Sequence, residues 1–284
     1  MRQRKTLGTI GGLLAAGALL LLAPRLGAQT PQGPLGPQSK PSARENAPLP
    51  LPAEEIIRRF AAKEAEFKGA RDNYTYSQYV RVRESDAFGK EGGQFERTSE
   101  IIFSPEGRRY EKIVREPPAT LRMVSLSRED LEDLENIQPF VLTTAELPKY
   151  NIEYAGREQV DEISTYVFRV APKRMEKNQR YFEGTIWVDD EDLQIVKTRG
   201  KAVPDVRRGK QENLFPTFET YRQNIDGKYW FPTYTRADDV LHFSHGEVRI
   251  RMVVRYRNYK QFGSTVRITG VEEVKPGLPK PPLQ

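Results

Sequence analysis

The stretch EGTIWVDDEDLQIVKTRG, residues 183–200, carries the pattern from which the fold follows. Isoleucine, valine and leucine recur at every second position on both sides of the four acidic residues 189–192. Such alternation is typical of β-strands with one buried face. The acidic residues fall where the chain reverses, and acidic side chains at that point are soluble and compatible with a turn. We therefore predict a β-hairpin, with strands at 183–189 and 193–199, and an acidic turn.

A metal site is the alternative interpretation of the same acidic run. The run lacks the Asp-x-Asp-x-Asp-Gly spacing of a calcium loop, and no glutamate follows at the required distance. We therefore expect no metal and no cofactor here.

The alternation recurs along most of the chain. Eight further strands are predicted at 73–84, 94–103, 108–115, 149–156, 164–171, 217–224, 228–236 and 247–259. The turn sequences SPEG at 104–107 and NIDG at 224–227 indicate short hairpin connections. These features together predict about ten antiparallel strands.

Two helices interrupt the strand pattern. Residues 53–68 have Ile56, Phe60 and Phe67 near one stripe, and residues 127–136 begin with Ser127 as the expected N-cap. The apolar segment that follows, at 137–150, either crosses the mouth of a cavity or packs on the core edge.

A sheet of about ten strands must curl or close, and its apolar inner face must be covered. We therefore predict a mainly β, α+β fold. It is a wide curled antiparallel sheet that forms a half-closed barrel, covered by the N-terminal helix and the short inserted helix.

The two ends of the chain differ in composition from its centre. Residues 1–28 combine a basic start, an apolar run and small residues, which predicts a cleaved signal peptide and a periplasmic location; an uncleaved membrane anchor is the alternative. Residues 29–52 are Pro-rich and predict a flexible linker, residues 53–272 form the folded domain, and residues 273–284 form a Pro-rich tail. The chain has no cysteine, so it forms no disulfide and carries no lipidated cysteine.

The net charge of +6 suggests an acidic partner only at first sight. Four of the 45 basic residues and none of the 39 acidic residues lie in the first 28 positions, so 41 basic and 39 acidic residues leave +2 for the rest. This near-neutral charge argues against a nucleic-acid partner.

Catalytic motifs are lacking in the sequence. The chain has no cysteine and only two histidines, His242 and His245, whose spacing of three points them to opposite faces of a strand. No GxSxG, P-loop or dinucleotide-binding motif is present. A catalytic pair of carboxylates that folding brings together stays an open alternative. We expect a protein that is not an enzyme.

The segment YNIEYAGREQVDEISTYVFRVAPK (150–173), followed by GTIWVDDEDLQIVKTRG (184–200), resembles the LolA-like family of outer-membrane lipoprotein-sorting proteins. ENLFPTFETYRQNIDGKYWFPTYTRADDVLHF (212–243) is similar in layout to the end of that family's sheet, and the resemblance covers 53–262. It implies a half-barrel whose concave face, capped by helices, holds acyl chains in the periplasm without catalysis. It also implies a cavity arginine that ties down a lid, which the motifs match to no particular residue.

The expected partners are therefore lipid or lipoprotein acyl chains, with an inner- or outer-membrane protein as a further partner. The expected ligand-binding residues are the apolar positions that we assign to the concave face and the covering helix. They are Phe60, Phe67, Tyr76, Val80, Phe103, Tyr110, Val114, Phe168, Val170, Ile186 and Val188. Each of them could equally be ordinary core, because a filled core and an acyl-chain pocket use the same side chains.

Three alternatives stay open at this stage. The same fold could serve as an envelope-stress sensor or regulator. The chain could also be an outer-membrane or structural β protein without a ligand cavity. Finally, the basic side chains in RIRMVVRYRNYK (249–260) form either a solvated face or a strip that meets anionic lipid headgroups or an acidic partner.

Overall fold

The computed structural model describes residues 49–104, 108–136, 139–208 and 211–261. The predicted signal peptide, nearly all of the predicted linker and the C-terminal tail lie outside these ranges, so the predicted domain boundaries stay predictions. Within these ranges, neither helix combines the length and hydrophobicity that a transmembrane span requires.

The described chain contains two α-helices, α1 (Ala53–Arg71) and α2 (Arg128–Asn136), and a short 3-10 helix (Leu147–Lys149). The strands are β1 (Tyr74–Asp86), β2 (Glu91–Phe103), β3 (Arg109–Arg115), β4 (Tyr150–Val160), β5 (Ile163–Pro172), β6 (Tyr181–Asp189), β7 (Ile195–Val203), β8 (Val206–Arg208), β9 (Gln211–Asn213), β10 (Phe218–Asn224), β11 (Trp230–Phe243) and β12 (Gly246–Gln261).

Ten of the strands form one antiparallel sheet in the order β3-β2-β1-β12-β11-β10-β7-β6-β5-β4. Its edge strands β3 and β4 do not pair with each other, so the sheet stays open, and the predicted fold class is confirmed. The strands β8 and β9 form a separate small hairpin that the sequence did not predict. Helix α1 runs three residues beyond the predicted end at 68.

Helix α1 covers one part of the sheet, whose covered side we call the inner face. The buried residues of α1 include Ile56, Phe60 and Phe67, which recur at helical spacing and so share one stripe. The ring of Phe60 lies 5.4 Å from that of Phe168 on β5. The side chains that alternate with the inner-face residues form the outer face.

The segment 116–149 joins the two edge strands of the sheet. Because β3 and β4 lie at opposite edges of the sheet, this connection has to lead from one edge to the other. It contains α2. Its later part is packed into the core: Phe140 and Leu142 are buried, and Phe140 stacks on Phe182 at 4.2 Å. Of the two alternatives for 137–150, packing on the core is therefore the one observed for 139–149.

The turn at 189–192 that opened the sequence analysis is confirmed. The Asp189 carboxylate accepts hydrogen bonds from the backbone N–H groups of Glu191 (2.7 Å) and Asp192 (3.0 Å), which closes the reversal between β6 and β7. Asp190 accepts from Ser164 and pairs with Arg157. Asp189 therefore closes the turn, and Asp190 fastens it to the neighbouring strands β4 and β5.

The turn at 224–227 is also confirmed. Asp226 accepts from the N–H groups of Lys228 and Tyr229, each at 2.9 Å. Gly227 has φ +79°, a conformation that glycine adopts without steric cost.

Candidate ligand cavity

A cavity of about 1170 Å³ lies between α2 and the end of the inner face that α1 leaves uncovered. Its apolar wall is built from strands β1, β11 and β12, from α2, and from the loop after β9. The principal residues of that wall are Val82, Leu134, Phe215, Leu241, Ile250 and Met252. All six are buried and belong to the main hydrophobic core, so the cavity is a continuation of the core that protein side chains leave unfilled.

The mouth of the cavity is polar and mainly acidic. Among the described residues, seven acidic side chains line it, against three basic ones. The acidic residues are Glu129, Asp130, Glu132, Asp133, Glu176, Asp205 and Glu212, and the basic residues are Lys177, Arg180 and Arg207. An apolar wall with a charged mouth suits an amphipathic molecule whose head stays near water.

Of the eleven ligand-binding residues expected from the sequence, ten have described side chains, and none of these ten lines the cavity. Most form the filled core beneath α1, namely Phe60, Val80, Phe168, Val170, Ile186 and Val188, all of them buried. Phe67 belongs to a separate cluster with Tyr74 and Phe231, and Tyr76 packs half-buried against the main core. These residues therefore lie apart from this cavity, and their role in ligand binding stays a prediction.

Two expected residues lie on the wrong face of the sheet. Tyr110 pairs with Ile102, one position away from the inner-face residue Ile101, and it is 52% exposed. Val114 has the same parity on β3 and is 56% exposed. Phe103 ends β2, and its side chain lies outside the described part of the structure.

Helix α2 forms one side of the cavity and is held there by polar contacts at its start. Ser127 caps the helix as predicted, since its Oγ accepts from the N–H of Asp130 (3.1 Å). The Asp130 carboxylate in turn accepts from the N–H of Ser127 (2.7 Å), which satisfies a second free donor. Ser127 Oγ also accepts from the side chain of Asn213 on β9 (3.0 Å). These bonds link the first turn of α2 to the β8–β9 hairpin.

Arg180 provides the second link between α2 and the wall opposite. Its guanidinium donates to Asp133 Oδ2 through Nη2 (2.7 Å) and Nε (3.0 Å), to Asn213 Oδ1 (3.3 Å) and to the carbonyl of Pro204. Burial raises the pKa of the Asp133 carboxyl to about 6, even though the Arg180 guanidinium acts in the opposite direction. Arg180 is thus an arginine that lines the cavity and binds its covering helix.

Glu84 anchors the segment that leads into α2. This buried carboxylate, on β1, accepts backbone N–H groups from Arg122 (2.6 Å), Met123 (2.9 Å) and Val124 (3.0 Å) and from Gly93 on β2 (2.9 Å). Burial raises the pKa of Glu84, but these four donors outweigh it and the net shift is downward. Met123 and Val124 line the cavity, so Glu84 positions part of its wall.

A second buried arginine holds the crossing segment further along. Arg222 Nη1 donates to both carboxylate oxygens of Glu64 on α1 (3.0 and 3.1 Å), and Nη2 donates to the carbonyl of Phe140. Both side chains are almost completely buried, with exposed fractions of 1% and 0%. Glu64 also accepts the N–H of Ile195 (3.2 Å). This pair joins α1, β10 and the segment 139–149, away from the cavity.

Both histidines lie at the surface. The His242 side chain is 71% exposed near the end of β11, and His245 is exposed in the turn that follows. Among the described residues, no group of three or more His, Cys, Asp or Glu side chains is arranged to hold a metal ion.

Several solved structures are similar to the chain. They include a DUF1329 family protein from Desulfovibrio piger (16% identity, 74% of this chain and 93% of that one, TM-score 0.39). A LolA superfamily protein from Nitrosomonas europaea has 13% identity over 73% and 92% of the two chains (TM-score 0.32). A domain assigned as a candidate outer membrane lipoprotein-sorting protein, from Vibrio parahaemolyticus, has 14% identity over 74% and 93% (TM-score 0.32).

The open antiparallel sheet covered by helices has the half-barrel layout that the resemblance to the LolA-like family implied. The likeness to these solved structures concerns the fold alone. No protein-family model matches the chain, and no curated protein matches it by sequence.

Sequence reasoning missed the residues that line the cavity, although it placed several of them on the correct face. Val82 shares a face with Val80, and Ile250 and Met252 share a face with Val254, as the period of two requires. The alternation does not show which end of that face α1 covers. Glu64 was visible in principle, because a glutamate between Phe60 and Phe67 on the buried stripe of a helix requires a buried partner.

Proposed function

We propose that this protein is a periplasmic binding protein that holds an acyl chain, of a lipid or a lipidated protein, in the cavity beside α2. The observation that carries the proposal is the cavity itself. It has an apolar wall continuous with the core, although α1 already fills the adjacent part of the inner face. Its volume of about 1170 Å³ slightly exceeds the range of ~300–1000 Å³ that is typical of small-molecule sites.

The energetics favour a long apolar chain as the occupant. Each methylene group moved from water into the cavity contributes ~0.8 kcal/mol, so even a partly inserted acyl chain gains several kcal/mol. A charged or polar head would stay at the mouth, where the rim is polar. The periplasmic location rests on the predicted signal peptide, and the absence of a catalytic motif supports binding without chemistry.

Carriage of lipid or lipoprotein is the role implied by the resemblance to the LolA-like family. A carrier has to admit and release its ligand, and α2 is the element between the cavity and solvent. The contacts that would have to open are those of Asp133 with Arg180 and of Ser127 with Asn213. Lipid sensing with the same cavity would use the same contacts.

A pair of tryptophan substitutions on neighbouring residues tests the proposal. Leu241 lines the cavity, whereas Val240 on the same strand points to the outer face and is 38% exposed. The variant Leu241→Trp fills part of the cavity, and Val240→Trp adds the same side chain outside it. The probe is N-phenylnaphthylamine, which is uncharged and therefore insensitive to the acidic rim, titrated by fluorescence into protein purified without detergent.

We expect saturable probe binding by the native protein and by Val240→Trp. For Leu241→Trp we expect at least roughly tenfold weaker binding, equal to ~1.4 kcal/mol. Thermal unfolding of both variants checks that the fold is retained. Absence of probe binding to the native protein, or equal binding by the two variants, would refute the proposed cavity function.

A further inference from the structure

The outer face carries a strip of arginines on the neighbouring strands β1 and β12, which we call the arginine strip. Its members alternate along each strand and therefore project on one side of the sheet. They are Arg81, Arg83, Arg249, Arg251, Arg255 and Arg257. No acidic residue shares this face on β1 from 75 to 83 or on β12 from 249 to 257. The nine residues from 249 to 257 extend for about 26 Å at the rise of a strand.

Half of the arginine strip is held by acidic neighbours. Arg249 and Arg251 share one carboxylate, Asp238 on β11, at 2.5 and 3.6 Å. Arg83 lies 4.0 Å from Glu91. Three guanidinium groups are thus opposed by two carboxylates.

The other half has no such partner. Within the described part of the chain, Arg81, Arg255 and Arg257 form no ion pair with a carboxylate. Glu96 on β2 is paired with Arg81 on the neighbouring strand β1. Its carboxylate, however, binds Arg115 (3.7 Å) and the Tyr79 hydroxyl (3.0 Å) instead of Arg81. The Arg255 guanidinium lies over the Tyr79 ring at 5.9 Å, and its buried Nε has no hydrogen-bond partner within the structure described. These three arginines are therefore available to an external anion.

The charge of the domain is segregated between two surfaces. Among the residues that the structure describes, the cavity mouth has an excess of acidic side chains and the arginine strip an excess of basic ones. Residues 29–284 together carry a net charge near zero. A protein with this distribution orients in the field of a charged partner, with the strip toward a negative surface.

We propose that the arginine strip docks the protein on an anionic phospholipid surface. Guanidinium groups bind phosphate oxygens through paired hydrogen bonds, and they are less strongly hydrated than ammonium groups. The spacing of about 7 Å between alternate residues of a strand presents repeated guanidinium groups to a surface of repeated phosphates. Tyr79 lies among them and has the amphipathic character of side chains at membrane interfaces. This docking surface goes beyond the proposed cavity function and does not depend on it.

Vesicle co-sedimentation tests the docking surface with the full chain as purified. The vesicles are phosphatidylcholine alone or phosphatidylcholine mixed with phosphatidylglycerol, each at low and at high salt. The strip variant carries Arg81→Gln, Arg255→Gln and Arg257→Gln. A matched control carries Arg169→Gln, Arg199→Gln and Lys201→Gln, which remove the same charge from the outer face of β5 and β7.

We expect the native protein to bind the mixed vesicles at low salt and to be released at high salt. Basic residues near an anionic membrane each contribute about fivefold to partition, so the strip variant should lose on the order of 100-fold and the control much less. Leu241→Trp should bind the vesicles normally, which separates docking from the cavity.

Three results would overturn the proposal. The first is no preference of the native protein for the mixed vesicles. The second is an equal loss of binding in the strip variant and the control, which would show that vesicle binding depends on net charge and not on the strip. The third is binding of soluble polyglutamate through the strip with none to vesicles, which would indicate an acidic protein partner.

Discussion

Replacement of Arg222 by methionine should destabilise the protein more than most single substitutions. The Glu64 carboxylate has two short contacts with Arg222 Nη1, and its only other described donor is the N–H of Ile195. Glu64 is completely buried, so Arg222→Met leaves a buried carboxylate without a counter-ion. Breaking one partner of such a pair costs about 3–5 kcal/mol, and the carbonyl of Phe140 loses a charged donor, which adds about 1 kcal/mol.

The expected loss is therefore about 4–6 kcal/mol of unfolding free energy at neutral pH. For a domain of this size, each kcal/mol lowers Tm by ~2–4 °C, so the transition should fall by at least ~8 °C. Burial raises the pKa of Glu64, so protonation at lower pH should relieve part of the cost. The assay is urea unfolding followed by circular dichroism, with the m-value used to check that unfolding stays two-state.

The double variant Glu64→Leu with Arg222→Met supplies the decisive comparison. Replacing both members of a buried pair by apolar side chains of similar volume is often neutral, so we expect it within about 2 kcal/mol of the native protein. The reasoning is refuted if Arg222→Met costs less than about 1 kcal/mol, or if the double variant is no more stable than the single one.

Three further predictions concern the cavity wall, its covering helix and the filled core. Glu84→Gln should lose about 2–4 kcal/mol, because the neutral amide replaces a carboxylate that accepts four backbone N–H groups, and urea unfolding at pH 7 measures this. The pKa of Asp133 is raised to about 6 from an unfolded value of about 3.9, so its contribution to stability is present below pH ~4 and is lost as pH rises through ~6. Relative to Asp133→Asn, the native protein should therefore gain about 2 kcal/mol of unfolding free energy between pH 7 and pH 4.5. A difference between the two proteins that does not change with pH would contradict this. Phe168→Ala should lower the unfolding free energy by about 3–5 kcal/mol and leave the affinity for N-phenylnaphthylamine unchanged, because Phe168 packs on Phe60 rather than in the cavity. Weaker probe binding by a fully folded Phe168→Ala variant would contradict this.

The strands of this fold were predictable because their alternation is regular. Residues 183–200 show apolar residues at every second position around a polar reversal, and the hairpin follows directly. The turn at Asp226 and Gly227 and the cap at Ser127 were predictable for the same local reasons, since each satisfies backbone groups within a few residues.

The cavity was not predictable in the same way, because its position depends on how far α1 extends over the sheet. Phe168 and Met252 are both inner-face apolar residues and have the same sequence signature. One is covered by α1 and the other faces the space beside α2. The β8–β9 hairpin was missed because strands of three residues are too short for an alternation to be recognised.

The measurement that tests the cavity function most directly is native mass spectrometry of the protein purified from the bacterial envelope without detergent. We predict an adduct with the mass of one acyl-chain ligand on the native protein and on Val240→Trp, and its loss on Leu241→Trp. A mass without adduct for the native protein, unchanged after incubation with phospholipid, would contradict the assignment of this cavity to an acyl chain.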